Sequence, residues 1–142
     1  MPLNNFGSIL SFAEEMEKRG VDFYEKAATS PSCADHAALF QQFAKDGHKQ
    51  IKTIQRTRRE NVTEMILEPI RDFHRAPYVR TFADPGNRPV EAVLADARQM
   101  EETAEDFYRT AMEKIKALPE VARALKSIGK KHTAHREALA GS

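Results

Sequence analysis

Apolar residues recur at three- and four-residue intervals through four long stretches of the chain, which puts them on one face of a helix in each. The first stretch, about 8–29, carries Leu10, Ala13, Glu17, Gly20, Val21, Tyr24, Ala27 and Ala28 on one stripe. The second, about 33–61, carries Phe40, Phe43, Ala44, Gly47, Gln50, Ile51 and Ile54. The third, about 89–118, carries Val90, Leu94, Ala97, Glu101, Ala104, Tyr108, Ala111 and Ile115. The fourth, about 119–139, carries Val121, Leu125, Ile128, His132, His135 and Leu139. Alternating runs of β-branched residues are almost absent, so strands are not expected. Ser11 to Glu14 has the form of a capping box, Ser32 with Asp35 reads as the start of the second helix, and Pro89 suits the first turn of the third.

The segment 62–88 breaks the periodicity with Pro69, Pro77, Pro85, Gly86 and Asn87. It also holds Met65, Ile66, Leu67, Ile70, Phe73, Tyr78 and Phe82, so it reads as a long crossover with one or two short helical turns whose apolar residues pack on the helices. The links 29–33 and 117–120 are short, which predicts that each flanking helix pair is antiparallel. The expected architecture is all-α: one domain over 1–142, with two antiparallel helical hairpins joined by one long crossover.

The first and third helices repeat. MEKRGVDFYEKAA and MEETAEDFYRTAM share Met-Glu and then Asp-Phe-Tyr in fixed register, 84 residues apart. Two related hairpins would bury their stripes against each other with approximate twofold symmetry.

Composition narrows the class. With 22 basic and 21 acidic residues the net charge is +1, which argues against nucleic acid or an anionic membrane as the main partner. Basic stretches such as Arg56 to Arg59 and Lys126 to Lys131 read as solvated helix faces. No apolar run approaches the roughly 20 residues of a membrane-spanning helix. The opening MPLNNFGSIL has no basic region followed by an apolar run, so no signal peptide and a cytoplasmic location are expected. The single cysteine, Cys33, has no partner for a disulfide and reads as structural.

What interrupts the apolar stripes carries the chemistry. Glu17 has Ala13 and Val21 a turn to either side, Glu101 lies between Ala97 and Ala104, and His132 and His135 lie between Ile128 and Leu139. Helical geometry turns all four inward near mid-helix. A buried carboxylate without a partner is costly. Two carboxylates facing two imidazoles can share a divalent metal such as iron, manganese or zinc, or form a metal-free hydrogen-bonded cluster with Tyr24 and Tyr108. His36, His48 and His74 are expected to face solvent or bond locally.

The motifs MEKRGVDFY, FQQFAKDGHKQI, MEETAEDFY and LKSIGKKHTAHREAL resemble the rubrerythrin-like branch of the ferritin-like superfamily over nearly the whole chain. That resemblance implies a four-helix bundle in which each hairpin supplies a Glu from its first helix and a Glu-x-x-His from its second, around a dinuclear iron or manganese centre. Glu17 and Glu101 match the first-helix carboxylates. On the second helix the ligand positions fall on Gly47 and Gln50, so both ligands are missing. On the fourth they fall on His132 and His135, so the histidine is kept and the glutamate has become a histidine. A one-residue slip that would turn Asp46 or His48 inward breaks the Phe40, Phe43, Gly47 stripe and is set aside.

The expected site is therefore Glu17, Glu101, His132 and His135 around a single divalent metal, iron first and manganese or zinc as alternatives. Gly47 is expected to leave room for a small ligand, and Tyr24 and Tyr108 to support the carboxylates. The resemblance further implies a homodimer and redox activity toward iron, peroxide or dioxygen, as in an iron- or manganese-dependent oxidoreductase. The competing expectation is a non-catalytic interaction or scaffold protein that kept the fold and lost the metal.

Overall fold

The computed structural model describes residues 3, 5–61, 70, 73–79, 82–86 and 88–141. Four long helices account for most of them: α1 (Phe6–Thr29), α2 (Ala37–Glu60), α3 (Val90–Lys114) and α4 (Pro119–Ala140). The architecture is all-helical and compatible with a four-helix bundle, with no strand among the described residues. None of these helices is long and apolar enough to cross a membrane.

The helix ends depart from expectation in instructive ways. α1 is capped six residues before Ser11. Asn5 Oδ1 accepts from the Ser8 amide at 2.7 Å, and Ser8 Oγ accepts from the Asn5 amide at 3.3 Å, so the capping box is Asn5 with Ser8. Ser32 does not cap α2. It lies in a 3₁₀ turn, Pro31–His36, and its hydroxyl donates to the Arg88 carbonyl at 2.5 Å, tying the link to the entrance of α3. α2 begins only at Ala37, without a side-chain cap. Pro89 stands just before α3 rather than within it, while Pro119 opens α4, where a missing N–H costs nothing.

α1 packs most closely on α2, and α3 on α4. Across the first pair, Gln55 Nε2 donates to Glu14 at 3.0 Å, Arg58 bonds the same carboxylate, and His48 meets Glu25 at 3.2 Å. Across the second, Thr133 and Arg136 both donate to Glu105, at 2.6 and 2.5 Å. Between the two halves of the chain only Ala76–Tyr78 forms a short 3₁₀ turn among the described residues. Ile70 and Phe73 are buried, and Tyr78 and Phe82 are half-buried against the helices, as expected of crossover anchors. Met65, Ile66 and Leu67 lie outside the described residues.

The interior divides into two apolar clusters. One gathers Phe6, Phe12, Phe107, Ile115, Leu125 and their neighbours; Phe107 has ring centroids of Phe12, Phe73 and Tyr78 at 5.2, 5.6 and 5.4 Å. The other gathers Phe23, Phe40, Phe43, Leu94 and Leu139 around Tyr24. Each fully buried large side chain contributes roughly 1.5–3 kcal/mol through lost water contact. On every helix the change from one cluster to the other falls at the same level: around Glu17 on α1, Gly47 and Gln50 on α2, Glu101 on α3, and His132 and His135 on α4. A polar layer is thereby held between two apolar ones.

Candidate metal centre

All four residues singled out from the sequence are buried in that layer, with exposures of 4% for Glu17, 1% for Glu101, 7% for His132 and 4% for His135. His132 is the hub. Its Nδ1 lies 2.6 Å from Glu101 Oε1 and its Nε2 lies 2.7 Å from Glu17 Oε2. Ionised carboxylates only accept hydrogen bonds, so both ring nitrogens donate and the ring is an imidazolium. It stacks on Tyr108 with centroids 5.5 Å apart and planes 13° from parallel.

The two tyrosines bond crosswise. Tyr24 of α1 donates to Glu101 Oε2 of α3 at 2.5 Å, and Tyr108 of α3 donates to Glu17 Oε2 of α1 at 2.6 Å. The sequence repeat thus becomes a reciprocal pair of contacts, each Glu held by the tyrosine of the other helix.

His135 is arranged differently. Its Nε2 donates to Asp46 Oδ2 at 2.8 Å, and its ring lies 3.9 Å from Phe43, nearly parallel at 19°. Its Nδ1 is 3.3 Å from Glu101 Oε1 yet makes no hydrogen bond, and is buried without a partner. With Nε2 engaged by Asp46, Nδ1 is the ring atom that faces Glu101.

Asp46 is the residue that sequence reading put aside. It is buried without any slip of register: Phe40, Phe43, Gly47 and Gln50 keep the core face, and Asp46 sits at the edge of that face toward α4. Its carboxylate also accepts from Gln42 at 2.9 Å and lies 3.6 Å from Lys131 Nζ. The usable signal was the spacing Phe43, Asp46, Gln50, which is itself helical. Gly47 also needs correcting. A Cβ there would meet Val21 Cγ2 at 2.5 Å, so the glycine first of all lets α1 approach α2 closely, and it lines a small interior cavity beside Gln50. His48 is exposed beside Glu25, His74 is exposed, and His36 is half-buried with its ring 6.1 Å from Phe40. Cys33 is a free, fully buried thiol in the second apolar cluster.

Charge follows from this geometry. Burial alone would raise the Glu101 carboxyl, but the His132 imidazolium, its hydrogen bond and the adjacent His135 ring outweigh burial and hold it at about 2. Burial pushes His132 down, and the facing carboxylates Glu17 and Glu101 override this and lift it well above the ordinary histidine value. Burial, reinforced by the same carboxylates, raises Tyr24 and Tyr108 far above the usual phenol range, so both stay hydrogen-bond donors. Burial raises Asp46, but hydrogen bonds from His135 and Gln42 with the Lys131 charge bring it below the usual carboxylate range.

One oxygen of Glu101 and one ring nitrogen each of His132 and His135 lie within 4.8 Å of one another, all buried. Two imidazoles and a carboxylate are a donor set that suits iron, manganese or zinc in the divalent state. The buried Nδ1 of His135, which makes no hydrogen bond and faces Glu101 Oε1 at 3.3 Å, is placed to meet such a cation. Glu17 stands apart from this trio: it meets Nε2 of His132, the nitrogen opposite the one that faces Glu101. No protein-family model, curated protein or solved structure matches this chain.

Proposed function

We propose that the chain is a ferritin-like metal-binding protein holding one divalent cation through Glu101, His132 and His135. The observation that carries this is the buried, unpartnered Nδ1 of His135 facing the Glu101 carboxylate within reach of His132. The outer partners support it. Asp46 orients His135, Glu17 meets the far nitrogen of His132, and Tyr24 holds Glu101, which is how buried ligands are ordinarily fixed. Glu17 in this arrangement orients a ligand rather than serving as one. The ferritin-like assignment is supported by the order of contacts: Glu14 meets Gln55 and Arg58 while Glu25 meets His48, as in an antiparallel hairpin. Iron or manganese bound here would supply one-electron redox chemistry toward a small oxidant, while the chain binds, orients and shields it from water.

A second reading is favoured by one observation. His132 already has both nitrogens satisfied by carboxylates, so Glu17, His132 and Glu101 form a closed ion-paired cluster that needs no metal. On that reading the protein is a helical scaffold.

Metal analysis separates the two. Protein purified without chelators and loaded in turn with ferrous iron, manganese and zinc should retain close to one metal per chain and melt at a higher temperature when loaded. Glu101→Ala and His135→Ala should abolish retention while preserving helicity. Absence of retained metal and of any melting shift, across all three metals, establishes the scaffold instead.

A further inference from the structure

Gln50 is the one side chain of the polar layer that the proposed centre leaves unexplained. It is 6% exposed, and both its amide nitrogen and its amide oxygen are buried without a hydrogen-bond partner. An unsatisfied buried amide group costs about 1–3 kcal/mol. Every other polar side chain of the layer has at least one partner: Glu17, Glu101, His132, His135 and Asp46 bond one another or the tyrosines.

Gln50 lines a small interior cavity of about 20 Å³ together with Glu101, His132 and His135. A polar cavity needs at least about 10–15 Å³ to hold one water. The space therefore meets the requirement for one water-sized molecule. A molecule there that both donates and accepts would satisfy Oε1 and Nε2 of Gln50 at once.

The cavity also has a way in. Met16 and Met100 line it, and the same two residues line a surface groove of about 510 Å³ bordered by Phe23, Tyr78 and Phe82. They occupy equivalent places in the sequence repeat and are both half-buried. Among the described residues, these flexible thioether side chains are the only wall that the cavity and the groove have in common.

We infer that this cavity is a binding site for one water-sized hydrogen-bonding ligand, held by the Gln50 amide beside Glu101 and His135 and admitted past Met16 and Met100. The site takes water, or a monatomic anion such as fluoride that accepts from the amide N–H, and rejects ligands of three atoms. The ligand's place at a metal rests on the centre proposed above; its seat against Gln50 does not.

Two arms keep these claims apart. In the first, cobalt(II)-loaded protein is titrated with fluoride and with thiocyanate while its visible spectrum is followed. Fluoride should shift the wild-type spectrum and thiocyanate should not. Gln50→Leu and Gln50→Met should keep the cobalt content and weaken fluoride by about tenfold or more, the usual worth of a hydrogen bond to a charged ligand. Met100→Phe should slow the fluoride response without changing its end point. Equal responses to both anions, or unchanged fluoride affinity in both Gln50 variants, overturn the ligand site; an unchanged rate in Met100→Phe overturns the entry route. Failure of the wild type to take cobalt counts against the metal centre alone. In the second arm, metal-free protein is unfolded in urea. If a bound water satisfies Gln50, neither variant gains stability. A rise of the folding constant by about tenfold or more in both means that the amide has no partner, and the ligand site is overturned.

Discussion

Tyr24 and Glu101 lie 77 residues apart and join α1 to α3 by a 2.5 Å hydrogen bond, which Tyr108 and Glu17 repeat in the opposite sense at 2.6 Å. Each phenol donates to a carboxylate that burial would otherwise make costly. Tyr24→Phe and Tyr108→Phe each delete one donor and leave the ring in place. Each should cost about 1–3 kcal/mol in urea unfolding of the metal-free protein. A loss within error of zero in both would show that the carboxylates do not depend on the tyrosines.

The metal-free protein should have a stability maximum on the acid side of neutrality. The Glu101 carboxyl, at about 2 against an ordinary 4.5, stabilises the fold fully above 4.5 and loses that contribution as pH falls toward 2. His132, raised well above 6.5, stabilises the fold fully below 6.5. Above 6.5 the unfolded chain releases the proton that the folded chain keeps, so stability declines as pH rises. Urea midpoints measured across this range should peak between pH 4.5 and 6.5. Removing the imidazole in His132→Gln should flatten the alkaline side. An unaltered alkaline slope in that variant contradicts the ion-paired cluster.

Metal and proton compete for His132. A cation coordinated by this ring displaces one of its two protons, so binding should release a proton and tighten with pH. Calorimetry in two buffers of different ionisation enthalpy measures the release directly. Asp46→Asn removes the carboxylate that orients His135 and should weaken binding by about 10- to 100-fold. Full affinity in Asp46→Asn would mean that His135 needs no support from α2.

Gly47 and Val21 form a coupled pair. Gly47→Ala alone drives a Cβ to within 2.5 Å of Val21 Cγ2 and should destabilise by about 1–3 kcal/mol. In a Val21→Ala background the clash is gone, and the same substitution should stabilise by up to about 1 kcal/mol through better helix propensity. A double-mutant cycle in which the sign does not change would contradict this close approach of α1 and α2.

The helices were legible because their apolar spacing is regular, and the four inward residues because each replaces an apolar residue on a stripe. The ends were less so. Asn5 and Ser8 cap α1 reciprocally with a Ser where a Glu or Gln is customary, and Ser32 satisfies a distant carbonyl rather than its own helix. Asp46 was missed because a stripe was treated as a line. A helix face has width, and a residue on its margin is buried when a neighbouring helix covers that margin, as α4 does here. The use of the Gly47 space by Val21 depends on how closely two helices approach, which no single-helix pattern encodes.

Both imidazoles of the polar layer belong to α4, while the acidic groups they answer come from α1, α2 and α3. Until the last 22-residue helix docks, Glu17 and Glu101 have no cationic partner in the interior they are meant to share. The first three helices therefore cannot close dry around them. Sealing of the interior depends on α4, the one helix that delivers both imidazoles.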